Sequence, residues 1–239
     1  MVVESVGNLP AGVTLKIEAD AQALAHAAAD LICAAVQQKP DLSILVATGN
    51  TPMPTYAELA RRAAAGQADF SRVTAVQLDE YLGLTDDDPR SLWGWMQRSF
   101  VAPLGITRTI RLHVPEEFDR DVAALGGLDL ALLGLGPNGH LGFNEPPSPP
   151  ESPTRTVTLT PESLESNRVY WNGLAVPTGA MTAGMNLILS ARQTVLLVSG
   201  AHKRGILRCT LEGDQTPNLP ASLLRRTALT VIADEAAWL

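Results

Sequence analysis

The chain has 239 residues, 46% of them hydrophobic, with a formal net charge of −7 and a sequence isoelectric point of about 5.1. That length buries a sizeable core, as one large domain or two small ones. The acidic balance speaks against a nucleic-acid partner, whose binder shows a basic face, and leaves an anionic small ligand to local positive groups.

In chain order, the opening MVVESVGNLPAG lacks the basic start and apolar core of a signal peptide. No apolar run approaches membrane-spanning length, so no membrane partner is expected and a cytoplasmic protein is. Ala21 to Pro40 is Ala-rich with apolar residues on a helical period, and Pro40 stops it. His26 inside it is expected to pack. Cys33 in this helix and Cys209 far downstream have no metal-ligand spacing, which implies a reducing compartment and no disulfide framework. Ser43 to Thr48 is a short apolar run, the pattern of a strand covered on both faces. A helix follows and ends near Gly66. RVTAVQLDEY predicts the next strand, and the acidic run Asp86-Asp87-Asp88 a solvated loop.

SLWGWMQRSFVAPLG predicts a helix, with Leu92, Trp95, Met96 and Phe100 at core spacing. TIRLHV is a short strand with a structural His113. LDLALLGL and TVLLVSG are strands, HKRGILRCTLEG a helix and ALTVIAD a final strand. Strands alternating with helices imply an α/β fold: a single Rossmann-like domain over residues 1–239, its mostly parallel sheet covered by helices on both faces. Ligands of such sheets bind beyond the carboxyl ends of the strands. Four polar clusters are therefore expected along one edge: Thr48-Gly49-Asn50-Thr51, Asp79-Glu80-Tyr81, Asn138-Gly139-His140 and Ala201-His202-Lys203.

The third cluster lies in LGLGPNGHLGFNEPPSPP, whose Gly134, Gly136 and Gly139 spell G-x-G-x-x-G after a strand. A dinucleotide fingerprint also needs a helix to begin at the loop. Pro146, Pro147, Pro149 and Pro150 forbid that helix. The glycines instead allow tight turning and close backbone approach to a ligand. His140 and Glu145 remain in one loop beyond a strand, where a carboxylate can orient an imidazole and support its charged form.

ATGNTP, LDEYLGL and GLGPNGHLGFNEP, in this order, resemble the glucosamine-6-phosphate deaminase (isomerase) family, as do TRTVTLTPESLESNR and SGAHKRGILRCTLEG. The resemblance runs from about Ala21 to Ala237. The related 6-phosphogluconolactonases lack the FNEP ending. What the resemblance implies is conversion of glucosamine 6-phosphate and water to fructose 6-phosphate and ammonia, with no metal or organic cofactor and an amino-sugar phosphate as the small-molecule partner. Asp79 matches the base that moves a proton between C2 and C1, His140 the ring-opening residue, and Glu145 its partner. Glu80, adjacent on an extended strand, points the other way and is expected to be structural. Asn138 stands where some members carry Asp and others Asn; it can orient by hydrogen bonding but adds no charge.

Phosphate contacts map onto Thr48, Gly49, Asn50 and Thr51, where backbone N–H groups and a helix dipole favour an anion, and onto Arg168 and Lys203. Helix capping by Asn50 or Thr51 is a compatible reading. His202 is expected at the surface. A lid is expected within 146–172. Alternatives are a galactosamine-6-phosphate deaminase, a lactonase-like hydrolase and a non-enzymatic sugar-phosphate sensor. The family includes regulated hexamers, and monomer and homo-oligomer both stay open for this short chain.

Overall fold

The structure is a computed structural model and describes residues 9–239, with 86 and 172 and the side chains of 162 and 166 outside that description. Residues 1–8, Asp86 and the position at 172 within the expected lid therefore lie outside the described residues. In chain order the elements are β1 (Val13–Glu18), α1 (Ala21–Gln38), β2 (Ser43–Val46), α2 (Met53–Ala64), β3 (Thr74–Gln77), β4 (Asp79–Tyr81), α3 (Leu92–Met96), β5 (Arg108–Ile110), α4 (Pro115–Ala124), β6 (Leu130–Gly134) and β7 (Arg155–Thr158). They continue as α5 (Pro161–Asn167), β8 (Gly179–Thr182), α6 (Met185–Leu189), β9 (Gln193–Val198), α7 (Arg204–Glu212), β10 (Leu229–Asp234) and α8 (Glu235–Trp238).

Among the described residues, seven strands form one parallel sheet in the order β1-β10-β9-β6-β2-β3-β5. Alternate residues feed opposite faces. Ile44, Val46, Ala75, Leu130, Leu132, Val195 and Leu197 pack under α1 and α2 with Leu24, Ile32, Tyr56 and Leu59. Leu45, Val76, Ala131, Leu133, Leu196 and Val198 pack on the other face with Phe118, Ile188, Leu207 and Leu224. Helices thus cover both faces, as the continuous apolar strands require. Asp20 starts α1 by accepting from Gln22 and Ala23 N–H groups at 2.9 and 2.8 Å.

Four features depart from the sequence reading. β1 is an edge strand with alternating partial exposure, so it carries no continuous apolar run. The predicted 91–105 helix is α-helical only to Met96 and continues as a π-helical turn over Gln97–Val101. His26 does not pack: it is half-exposed, with Nδ1 3.3 Å from Glu58. Most consequential, RVTAVQLDEY is two strands in two sheets. β3 belongs to the parallel sheet, whereas β4 pairs antiparallel with β8, which pairs antiparallel with β7.

The switch at Leu78 is stabilised by Gln77. Its buried amide donates to the Asp79 carbonyl (2.9 Å) and Glu80 Oε2 (3.1 Å) and accepts from Leu112 N–H (3.0 Å). Those bonds satisfy polar groups that leave one ladder for the other. Glu80 completes the junction and is structural, as expected. Its carboxylate accepts from the backbone of Tyr81, Leu92 and Trp93 and from Ser91 Oγ, all at 2.8–2.9 Å, and so anchors the start of α3. The small sheet has its own core of Tyr81, Leu92, Phe143, Leu159, Trp171 and Ala180. Tyr81 stacks edge-on to Trp171 with ring centroids 5.1 Å apart.

Candidate active site

The carboxyl ends of β2, β3, β6 and β9 and the start of β4 border a cavity of about 1120 Å³. Thr48, Gly49, Asn50, Thr51, Asp79, Tyr81, His140, His202 and Lys203 line it, so all four polar clusters contribute. Asn138 and Glu145 stand behind His140, and Arg168 lies off the cavity wall.

At one end, Thr48–Thr51 links β2 to α2. The N-cap of α2 is Pro52, and no side chain caps it, so Asn50 and Thr51 are not the caps that a purely structural reading required. Pro52 and Pro54 carry no N–H and Met53 N–H donates to the Asn50 carbonyl at 3.3 Å, so the helix dipole and the N–H groups of the preceding loop, rather than those of the first helical turn, make this end attractive to an anion. Across the cavity, Lys203 precedes α7, and burial pushes its ammonium below the ordinary lysine value. The turn before it is tied down by Asp234, which accepts from Ser199 Oγ (2.5 Å) and Gly200 N–H (3.0 Å). His202 is exposed, as expected of a surface residue, yet sits at this cavity wall. Arg168 is 70% exposed and paired to Glu165 at 2.9 Å. The structure does not bring it to the Thr48–Thr51 and Lys203 end of the cavity.

At the other end stands Asp79, 8% exposed. Burial, reinforced by the Glu80 charge, pushes its carboxyl up to about 8. Its Oδ1 has no hydrogen-bond partner among the described residues. An unpaired buried carboxyl of this kind suits proton abstraction from carbon, because burial makes it a stronger base than an ordinary carboxylate.

The glycine-rich loop brings His140 to this end. A Cβ on Gly136 would stand 2.2 Å from His140 Cδ2, so only glycine lets the imidazole fold against the chain there. Gly142 has φ +57°, and a Cβ on it would meet Thr182 Oγ1 at 3.0 Å and Asp79 Oδ2 at 3.3 Å. The loop thus passes within contact of the Asp79 carboxylate. His140 Nδ1 lies 2.7 Å from Glu145 Oε1, a close charge contact rather than an aligned hydrogen bond. Burial raises the Glu145 carboxyl, but the contact with His140, with hydrogen bonds from Ser163 and Asn138, outweighs it and holds the group below its ordinary value. Asn138 Nδ2 donates to Glu145 Oε2 at 2.6 Å, while its Oδ1 accepts from His140 N–H at 3.2 Å.

Thr182 on β8 ties the two groups together. It is the register partner of Asp79, and its Oγ1 accepts from Phe143 N–H at 3.1 Å. Asn144, fully buried, donates to the Leu141 and Ala183 carbonyls and accepts from Arg155 of β7 at 2.8 Å. Sequence reasoning missed Ser163, Asn144, Arg155 and Thr182. Asn144, Arg155 and Ser163 lay inside quoted motifs, but nothing in spacing links positions 145, 163 and 182.

The expected lid region is partly well packed. It contains β7 and α5, and Trp171 is 2% exposed against Tyr81 and under the Arg90 guanidinium, 4.8 Å away. Asp88, expected in solvent, instead pairs with Arg90 at 2.6 Å. Among the described residues, no group of three or more His, Cys, Asp and Glu converges as a metal site, and no helix is long and apolar enough to cross a membrane.

The family described as glucosamine-6-phosphate isomerases/6-phosphogluconolactonase matches residues 16–233. The glucosamine-6-phosphate deaminase of Halothermothrix orenii is 37% identical over 234 aligned positions, covering 92% of this chain and 97% of that protein. The Streptomyces avermitilis enzyme of the same name is 39% identical, covering 89% and 88%. Among solved structures, a monomeric glucosamine-6-phosphate deaminase superposes with a TM-score of 0.88 at 33% identity, covering 94% of this chain and 98% of that one. The 6-phosphogluconolactonase of Trypanosoma brucei shares the fold, with a TM-score of 0.77 at 19% identity and coverage of 96% and 98%.

Proposed function

The chain belongs to the family of glucosamine-6-phosphate isomerases and 6-phosphogluconolactonases, and we propose that it converts glucosamine 6-phosphate and water to fructose 6-phosphate and ammonia. The observation that carries this reading is the meeting, in one cavity, of an unpaired buried carboxyl and an imidazole–carboxylate pair. Relatives 37–39% identical that bear the deaminase name support the choice of reaction.

The steps follow from the chemistry. The phosphate sits on the backbone N–H groups of the Thr48–Thr51 loop, before the start of α2, and on Lys203, whose partly buried ammonium gains a counter-ion. His140 takes the C1 hydroxyl proton while the ring oxygen gains one, and the pyranose opens to the aldehyde. Glu145 holds the imidazole during both transfers. Asp79 takes the C2 proton, giving an enolamine, and returns a proton to C1. The nitrogen-bearing carbon is then an imine at C2. Water adds there, the C–N bond breaks, and ammonia leaves the C2 ketone. One carboxylate serves both C1 and C2 when it lies over both carbons, which is the task given to Asp79.

Arg168 acts when residues 161–171 close over the cavity, exchanging its Glu165 partner for the phosphate. Asn138 orients Glu145 and His140 without carrying a proton. Sugar phosphates are anions retained by membranes, so the site of action is the cytoplasm. The test is ammonia release with glucosamine 6-phosphate, galactosamine 6-phosphate and their N-acetyl forms. Release from glucosamine 6-phosphate alone is expected; release only from the galactosamine ester transfers the reading to that sugar, and none from either ends it.

A further inference from the structure

Glu145 Oε1 has two neighbours, and only one of them belongs to its own loop. His140 Nδ1 is 2.7 Å away, and the Ser163 hydroxyl donates to the same oxygen. Oε2 is occupied by Asn138 Nδ2 at 2.6 Å. Ser163 is 2% exposed and lies in the first turn of α5, where its N–H is capped by Thr160 Oγ1 at 3.2 Å. The same helix runs directly into Arg168, Val169, Tyr170 and Trp171, and Asn167, Val169, Tyr170 and Trp171 form part of the cavity wall. A second bond fixes the helix: Asn167 Nδ2 donates to the Ser163 carbonyl at 2.9 Å.

We propose that Ser163 is a positioning residue for ring opening: its hydroxyl shares Glu145 Oε1 with the imidazole and thereby sets both the orientation of the carboxylate and its grip on His140. The inference rests on the reading of His140 as the ring-opening group. A carboxylate oxygen accepts from two donors only if each has its own lone-pair direction. Ser163 donates to Oε1 from one side while His140 Nδ1 lies 2.7 Å from the same oxygen, so the carboxylate cannot rotate about its bond without losing one of the two contacts. Because Ser163 is on α5 and Glu145 is on the loop after β6, the contact also couples the wall formed by Val169, Tyr170 and Trp171 to the acid–base pair. Movement of that wall on phosphate binding reaches His140 through one hydroxyl. Ordinary helix statistics explain a serine at the third position of a helix but give no reason for burying it against a catalytic carboxylate.

The charged and titratable groups around Glu145 are few. His140 faces it from its own loop. Arg155 of β7 approaches from behind, bonded to Asn144 Oδ1 (2.8 Å) and Ser148 Oγ (3.3 Å), and Ser148 donates to the Glu145 carbonyl at 2.6 Å. Asp79, across Gly142, and Lys203 border the cavity beyond the imidazole. Loss of the Ser163 donor removes one of the contacts that hold the Glu145 carboxyl down, so the group rises toward its ordinary value.

The experiment compares wild type, Ser163→Ala, Ser163→Thr and His140→Gln. The readouts are kcat and KM for glucosamine 6-phosphate, inhibition by the open-chain 2-amino-2-deoxyglucitol 6-phosphate, the acid limb of kcat/KM against pH, and Tm. Ser163→Ala is expected to lower kcat about tenfold to a hundredfold, the range for a hydrogen bond to a charged group. Its acid limb moves to higher pH, open-chain inhibition is unchanged, and Ser163→Thr restores most of kcat. Wild-type kcat and acid limb in Ser163→Ala, beside an impaired His140→Gln, overturn the proposal alone. Wild-type turnover in both variants overturns the His140 reading as well. A parallel loss of inhibitor binding and Tm without a moved acid limb shows Ser163 to be structural and also overturns it.

Discussion

The two ends of the cavity are built by different means. The proposed phosphate end uses the approaches to α2 and α7 at the carboxyl edge of the parallel sheet: loop amides, a helix dipole and Lys203. The chemical end uses side chains drawn from both sheets: Asp79 from β4, His140 and Glu145 from the loop after β6, and Thr182 from β8. Backbone sites come with the fold and tolerate side-chain change. Side-chain sites depend on each member and on the contacts that hold it. Substitutions should therefore cost more at the chemical end, and turnover should suffer there where binding suffers at the other.

The largest effect is expected from Asp79→Asn, which removes the proposed base. Exchange of the substrate C2 proton with deuterated solvent should fall roughly 10⁴-fold, the upper end of general acid–base contributions, with KM near wild type. Ordinary exchange in that variant would move the base elsewhere and dissolve the contrast. The same substitution has a stability signature. The folded carboxyl is raised to about 8 from an ordinary value near 3.8, so the native state binds the extra proton between those values. Its stabilising share is complete below about 3.8 and is lost as pH rises through about 8. Asp79→Asn should accordingly flatten the decline of Tm between pH 5 and 9, a comparison made by scanning both proteins in parallel.

His140→Gln comes next, with kcat reduced roughly 10²- to 10³-fold, inside the acid–base range. Binding of the open-chain aminoglucitol phosphate should persist, because its anion contacts lie at the other end. Lost binding of that compound would show that the two ends are not separable. Lys203→Ala should raise KM about tenfold to a hundredfold, as expected for a charge-assisted bond of roughly 1.5–3 kcal/mol, with much smaller change in kcat. The smallest effect is expected from Arg168→Ala, a severalfold rise in KM, since the side chain is exposed and already paired with Glu165. A rise equal to that of Lys203→Ala would place Arg168 at the phosphate throughout the cycle; no change would leave it a surface residue.

What could be read in the sequence follows the same division. The inner parallel strands β2, β3, β6, β9 and β10 announced themselves as apolar runs because both of their faces are covered, unlike the exposed edge strand β5, and the polar residues after them sit where strand ends must lie. The prolines after Glu145 excluded a dinucleotide helix, and Gly136 proves to serve the imidazole instead. The small sheet was illegible. RTVT of β7 is four residues long and mostly polar, GAMT of β8 is four small or flexible residues, and their pairing depends on contacts from 79 to 182 that no local pattern carries. The unbroken run of RVTAVQLDEY hid the passage from one sheet to the other, because Gln77 supplies side-chain bonds in place of a turn. β1 escaped notice as a half-exposed edge strand. Ser163 was invisible for a related reason: a serine in the first helical turn is ordinary until the fold sets it against Glu145.

Thr182 also bears on how such a chain can change length. It is the register partner of both Asp79 and Arg155, and its hydroxyl fixes Phe143, two residues before Glu145. Asp79 and the His140–Glu145 loop are therefore positioned from one datum, and the intervening excursion from Leu159 to Thr178, which returns to itself through the Leu159 N–H to Thr178 carbonyl bond at 2.8 Å, meets that loop through Ser163 of α5. Insertions and deletions in the excursion beyond α5 can accumulate without opening a gap between the two reacting groups. A single residue added between Asp79 and Tyr81, or between Thr182 and Gly184, would shift the datum itself, turning alternate side chains to the wrong face. Length is therefore tolerated in the roof of the cavity and fixed in the strands beneath it.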